Sequence, residues 1–215
     1  MSITLNGTTG ISSTGGIAAA DLTGTLPALD GAALTALTSA NLTGALPAIS
    51  GAALTGIESG PTYATAVATT SGTAVDFTGI PAGVKEIKLF LTNVSLTSNE
   101  FLMVQMGTSS GFITTGYLGS SVRHTATASG EQHNTTGFLI ADYMDASSPS
   151  GVMTFTRNSQ SGHVWNQTNA FGGVYSTITG AGSLDTSTEV TQLRITAAAQ
   201  SPTFRLGTAN ISWSF

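Results

Sequence analysis

Apolar and polar positions follow two different rules along this chain. From about Tyr63 onward, short runs rich in Val, Ile, Thr and Phe are punctuated by clusters of Gly, Ser and Asn. The runs are Val84–Leu91, Phe101–Met106, Gly137–Tyr143, Val152–Arg157, His163–Thr168, Val174–Thr179, Val190–Thr196 and Phe204–Phe215. They are short and β-branched, and none belongs to a long stretch with a 3.6-residue period, so they predict strands. Strands with turn signals at roughly 10–15 residue intervals predict an all-β domain, a β-sandwich or jelly roll, over residues 61–215. That length is enough to bury one substantial core.

Residues 1–60 obey a different rule. They contain no Lys, no Arg and no aromatic residue, so this segment has no large side chains with which to build a globular core of its own. Within it Asp21–Leu37, DLTGTLPALDGAALTAL, recurs twenty residues later as Asn41–Ile57, NLTGALPAISGAALTGI, with 11 of 17 positions identical. Leu22, Leu26, Leu29, Leu34 and Leu37 reappear as Leu42, Leu46, Ile49, Leu54 and Ile57. Pro27 and Pro47, with Gly24, Gly31, Gly44 and Gly51, break any single long helix. Asp30 and Ser50 are placed to cap short helical turns over Gly-Ala-Ala-Leu-Thr, while the Leu-Pro-Ala before each cap is extended. The expectation is a repetitive stalk, partly helical and partly extended. Two repeats fall short of the three or so that a solenoid needs. The leucines therefore need an outside cover, most simply further copies of the same segment about a common axis. A solvated, disordered linker is the alternative.

Charge narrows the function. Only 8% of the 215 residues are charged, against about 25% in an average soluble protein, so water is met largely through Ser, Thr, Asn and Gly. The net charge is −5 and the six cations, Lys85, Lys88, Arg123, Arg157, Arg194 and Arg205, are scattered. No basic stripe exists to neutralise phosphates or grip an anionic membrane, so neither nucleic acid nor membrane is an expected partner. With no cysteine there are neither disulfides nor thiolate metal sites. Met1–Gly7 lacks a basic start and an apolar run, and no stretch approaches the roughly 20 apolar residues of a membrane span, so synthesis and folding in a cytoplasm are expected.

Catalytic signals are weak. Gly107-Thr108-Ser109-Ser110-Gly111 fits the G-x-S-x-G of a nucleophile elbow, but strand and turn residues follow it where a helix is required. A hairpin loop is the expected reading. Asp142 and Asp145 are the nearest carboxylate pair for glycoside hydrolysis. They flank Ser-Pro-Ser-Gly, where Asp is an ordinary turn former. His124, His133 and His163 lack metal-ligand spacing. Six N-x-S/T sequons are compositional accidents in a chain with no secretion signal. No catalytic residue, metal or cofactor is expected.

The opening Ser2-Ile3-Thr4-Leu5-Asn6-Gly7-Thr8-Thr9-Gly10-Ile11 resembles the start of many bacteriophage tail-fibre proteins, and LTG-LPA-GAALT resembles their stalk repeats. Val75–Pro81, Val104–Gly107, Thr114–Tyr117 and Gly207–Ser212 resemble a domain found at the ends of phage fibres and other virion surface proteins. The resemblance implies a short homotrimeric tail fibre in the virion, bound to baseplate or tail through its N-terminus. Its C-terminal head would bind a host surface glycan or protein. A head fibre or capsid decoration protein is the alternative within virions, and a polysaccharide-degrading tailspike the alternative among enzymes.

In such a head, loops at one end carry recognition. The chain enters near Gly60–Tyr63, so the opposite end is expected to face the host, with Thr108–Thr115, Tyr143–Gly151 and Asn158–Gly162 as candidate loops. The last is favoured because amides and aromatics surround it, as a neutral saccharide requires. The candidate contacts are Asn158, Gln160, Trp165, Asn166 and Phe171, with Phe112 and Tyr117 beside the first loop. Trp165 competes with a role in the core, and Trp213 is expected there.

Overall fold

A computed structural model describes residues 60–145, 147–158 and 163–215. The repeats, with all ten of their leucine-class positions, and Gln160 lie outside the described residues. Every element described is a strand, and every pairing is antiparallel. In chain order the strands are β1 (Thr62–Tyr63), β2 (Val67–Ala68), β3 (Ala74–Thr78), β4 (Glu86–Leu96), β5 (Leu102–Thr108), β6 (Gly111–Phe112) and β7 (Leu118–Thr125). Then come β8 (Ser129–His133), β9 (Phe138–Ile140), β10 (Ser150–Arg157), β11 (Val164–Gly172), β12 (Ser176–Asp185), β13 (Gln192–Ala197) and β14 (Phe204–Ser214).

Nine strands form one sheet in the order β1-β14-β4-β10-β11-β12-β7-β8, with β2 also on β14. Five form the other, in the order β3-β13-β5-β6, with β9 also on β5. One hydrophobic cluster draws on both sheets: Ile87, Leu89, Leu91, Phe155 and Ile178 from the first meet Val104, Met106, Phe138, Leu193 and Ile195 from the second. This is the arrangement of a β-sandwich.

Period-two patterning sets which side faces in. Ile87, Leu89 and Leu91 of β4 are buried and alternate with Glu86, Lys88 and Phe90. Along β11, Trp165, Gln167, Asn169 and Phe171 face the core, and Asn166, Thr168 and Ala170 face water. Gly107–Gly111 is a hairpin: Gly107 pairs with Phe112 and Thr108 with Gly111 across Ser109-Ser110. Gly111 has φ 117°, a backbone conformation that glycine alone adopts easily. No helix follows the serines.

The registers define two ends. Thr62 pairs with Trp213, Trp213 with Ile87 and Ile87 with Phe155, so the chain enters level with the end of β10. At that same end the Arg157 N–H donates to the Lys85 carbonyl and the Lys85 N–H to the Ser214 carbonyl. Glu189 braces this end, its carboxylate accepting from the Gly83 N–H at 3.1 Å and from Arg157 Nη1 at 3.0 Å. The Gly83 amide, and then Arg157, hold the Glu189 carboxyl below its usual range against the opposing effect of partial burial. A carboxyl whose folded value is depressed adds stability that is complete above its unfolded value, 4.5, and is lost as pH falls through the folded one. Glu189→Gln should therefore be less stable than the wild type at about pH 7, and the difference should vanish by about pH 2, as read by urea denaturation across pH.

Candidate ligand-binding end

Opposite the chain entry, the connections after β4, β7, β9 and β11 come together. Ser150 pairs with Gly172, Ser176 with Thr125 and His124 with Ser129, which brings residues 126–128, 141–145, 147–149 and 173–175 to one end. The Met144 N–H donates to the Glu100 carbonyl, drawing in the β4–β5 connection.

Asp142 joins these pieces. Its carboxylate is buried and accepts four hydrogen bonds. Arg123 Nε donates to Oδ1 at 2.7 Å and the Tyr143 N–H to Oδ1 at 2.9 Å. Ser147 Oγ donates to Oδ2 at 2.6 Å and Ser176 Oγ to Oδ2 at 2.8 Å. One carboxylate therefore ties β7, the loop after β9 and the β11–β12 turn. Gly173 is required beside it, because a Cβ there would meet Ser147 Oγ and lie 2.7 Å from Asp142 Oδ2. A sequence reading of Asp142 as a turn former misses this, since two of its partners, Arg123 and Ser176, come from distant segments.

Two exposed tyrosines sit on this frame. Tyr175, at the tip of the β11–β12 turn, is 85% exposed, and Tyr143 is 45% exposed. The Tyr143 ring stacks on Phe101 with centroids 5.9 Å apart, and the Arg123 guanidinium lies 5.0 Å from its centroid. Phe101, Arg123, Gly130, Gln132, Ala141 and Tyr143 line a groove of about 170 Å³. It lies beneath the inner face of β7 and β8. There the first sheet extends past the second, and Ser121 bonds the Ala141 N–H. A shallow depression beside Tyr175 is lined by His124, Thr125, Ala126, Ser176 and Thr177.

The candidates from sequence are dispersed. Trp165, Phe171 and Tyr117 are core residues, 1%, 2% and 1% exposed, and the expectation that they touch a ligand is corrected. Trp165 and Phe171 point inward because they hold the buried phase of β11. The Tyr117 hydroxyl accepts from the Met106 N–H at 2.8 Å and donates to the Ile113 carbonyl at 3.0 Å. Burial pushes its phenol well above the ordinary range. Phe112 is half-buried under Arg194, whose guanidinium lies 4.0 Å from the ring centroid. Asn166 is exposed on the outer face of β11. Asn158 donates its N–H to the Val164 carbonyl at the entry end. Asn158 and Val164, which flank the β10–β11 connection, thus lie at the end where the chain enters, and residues 159–162 of that candidate loop lie outside the described residues. The Ser109-Ser110 hairpin is at the entry end too, its neighbour Gln192 pairing with Thr78 just before the turn into β4. Among the described residues of the candidate loops, only those of Tyr143–Gly151 are at the opposite end. Trp213 packs against the core, as expected.

The histidines are engaged locally: His124 bonds Ser129, His133 lies by Glu131 and His163 faces Arg157. No protein-family model, curated protein or solved structure matches the chain.

Proposed function

We propose that the chain is a short bacteriophage tail fibre that acts by binding and not by catalysis. It is a homotrimer held in the virion through residues 1–60, and its β domain recognises a host surface receptor. The observation that carries the reading is the gathering of Tyr143, Tyr175 and the aromatic groove at the end opposite the chain entry, above a rigid polar network. A scaffold that braces exposed aromatics on loops is built for recognition. The 20-residue repeats support it by demanding a cover for their leucines. Burying these at about 25 cal/mol per Å² favours association of several copies.

Sedimentation equilibrium of the full chain should give a trimer, and the labelled trimer should coat a subset of bacterial strains in a binding panel. A well-folded monomer would refute the assembly. A trimer that shortens host polysaccharide on incubation would refute the non-catalytic role.

A further inference from the structure

We infer that the groove beside Tyr143 is a subsite for one uncharged sugar ring, held through hydroxyl oxygens by Arg123 and Gln132. The assignment rests on the receptor-binding reading and adds the chemistry of the receptor. A volume of about 170 Å³ is below the ~300–1,000 Å³ typical of sites for drug-sized molecules, which suits a single ring. The lining has the composition of such sites, an aromatic wall with a few convergent polar groups. Gly130 and Ala141 leave space between them because they carry little or no side chain.

The donors decide the ligand. A guanidinium carries five N–H groups. Arg123 gives its Nε–H to Asp142, and among the described residues its Nη groups have no protein acceptor. The side-chain amide of Gln132 likewise has no partner among the described residues. These groups face a groove, and the flat fork of the two Nη atoms matches a pair of adjacent oxygens. A carboxylate would be the usual partner of such a fork. Here, however, the positive charge is already paired with Asp142 at 2.7 Å, which would repel a second anion. What remains is a set of donors without net charge, suited to vicinal hydroxyls of a neutral pyranose. The Tyr143 hydroxyl and ring edge supply the remaining contact at the rim.

The test is a titration of the full-length protein with the methyl glycosides of glucose, galactose, mannose and glucuronate. The side-chain N–H signals of Arg123 and Gln132 are followed by NMR. At least one neutral glycoside should shift both signals saturably, with an affinity that is unchanged at about 0.5 M salt, where charge interactions are screened. The glucuronoside should bind no tighter than the glucoside. Tyr143→Ala should weaken the neutral sugar about tenfold, or about 1.4 kcal/mol, and Gln132→Ala should also weaken it while both variants stay folded. If no glycoside moves these signals, or only the glucuronoside does so and salt abolishes it, the assignment is wrong. Cell binding by a protein whose groove takes no glycoside would defeat this inference alone. Glycoside binding by a protein that coats no bacterium would support it and defeat the receptor role.

Discussion

Replacing Arg123 with methionine should lower the unfolding free energy of the β domain by about 3–5 kcal/mol, the usual cost of breaking a buried ion pair by removing one partner. Methionine keeps the apolar stem and removes the charge, so the loss isolates electrostatics from packing. The cost falls on Asp142, whose carboxylate has no access to water and would keep only its two serine hydroxyls and one backbone N–H. Pairing the change with Asp142→Leu should recover part of the loss, because a pair removed together leaves no orphan charge. Urea denaturation of the two single variants and the double variant measures the coupling directly. A loss below about 1 kcal/mol for Arg123→Met, the range of an exposed ion pair, would mean that this network does not brace the loops above it.

Trp165→Ala should cost about 3–5 kcal/mol, as large aromatic truncations in cores do. Asn166→Ala should stay within about 0.5 kcal/mol, because its side chain leaves the opposite face of the same strand for solvent. Thermal or urea unfolding of both variants checks the phase of β11. Equal effects from neighbouring positions would mean that the strand does not alternate as the structure shows.

That phase marks the boundary of what the sequence discloses. The strands with strong alternation or dense apolar runs, β4, β5, β10, β11, β13 and β14, are legible because each packs a full face on the shared core. β7 and β8 are not. Their residues, LGSSVRHT and SGEQH, lack an apolar inner face, because the nine-stranded sheet runs past its partner there and β7 turns Ser121 and Arg123 inward to hydrogen-bond the segment after β9, leaving its Leu118 and Val122 on the other face. The hairpin at Ser109-Ser110 is legible from its glycines and from the absence of a following helix. Composition favours the amides and aromatics near Asn158–Gly162 as the site, but it does not encode which end of a sandwich a loop occupies. Only the register, Thr62 to Trp213 to Ile87 to Phe155, puts the strand ends that flank that loop at the entry end. Tyr143 opens one of the candidate loops and Tyr175 stands with Trp165 and Phe171 among the aromatics near turns, but neither is separable from them in the sequence, because an aromatic beside a turn reads the same whether it is braced outward or folded in. What distinguishes them is Asp142, and its partners at positions 123, 147 and 176 carry no common sequence signal.

The account stands on the end opposite the chain entry being the recognition surface. The most direct test compares two double variants of the full-length protein for binding to a strain that the wild type coats. Tyr143→Ala with Tyr175→Ala should lose about tenfold or more in affinity, about 1.4 kcal/mol per decade, with thermal stability retained. Asn158→Ala with Asn166→Ala, which alters the entry end and the outer face of β11, should bind as the wild type does. Full binding by the tyrosine variant, together with loss in the asparagine variant, would contradict the account and return the receptor site to the β10–β11 connection.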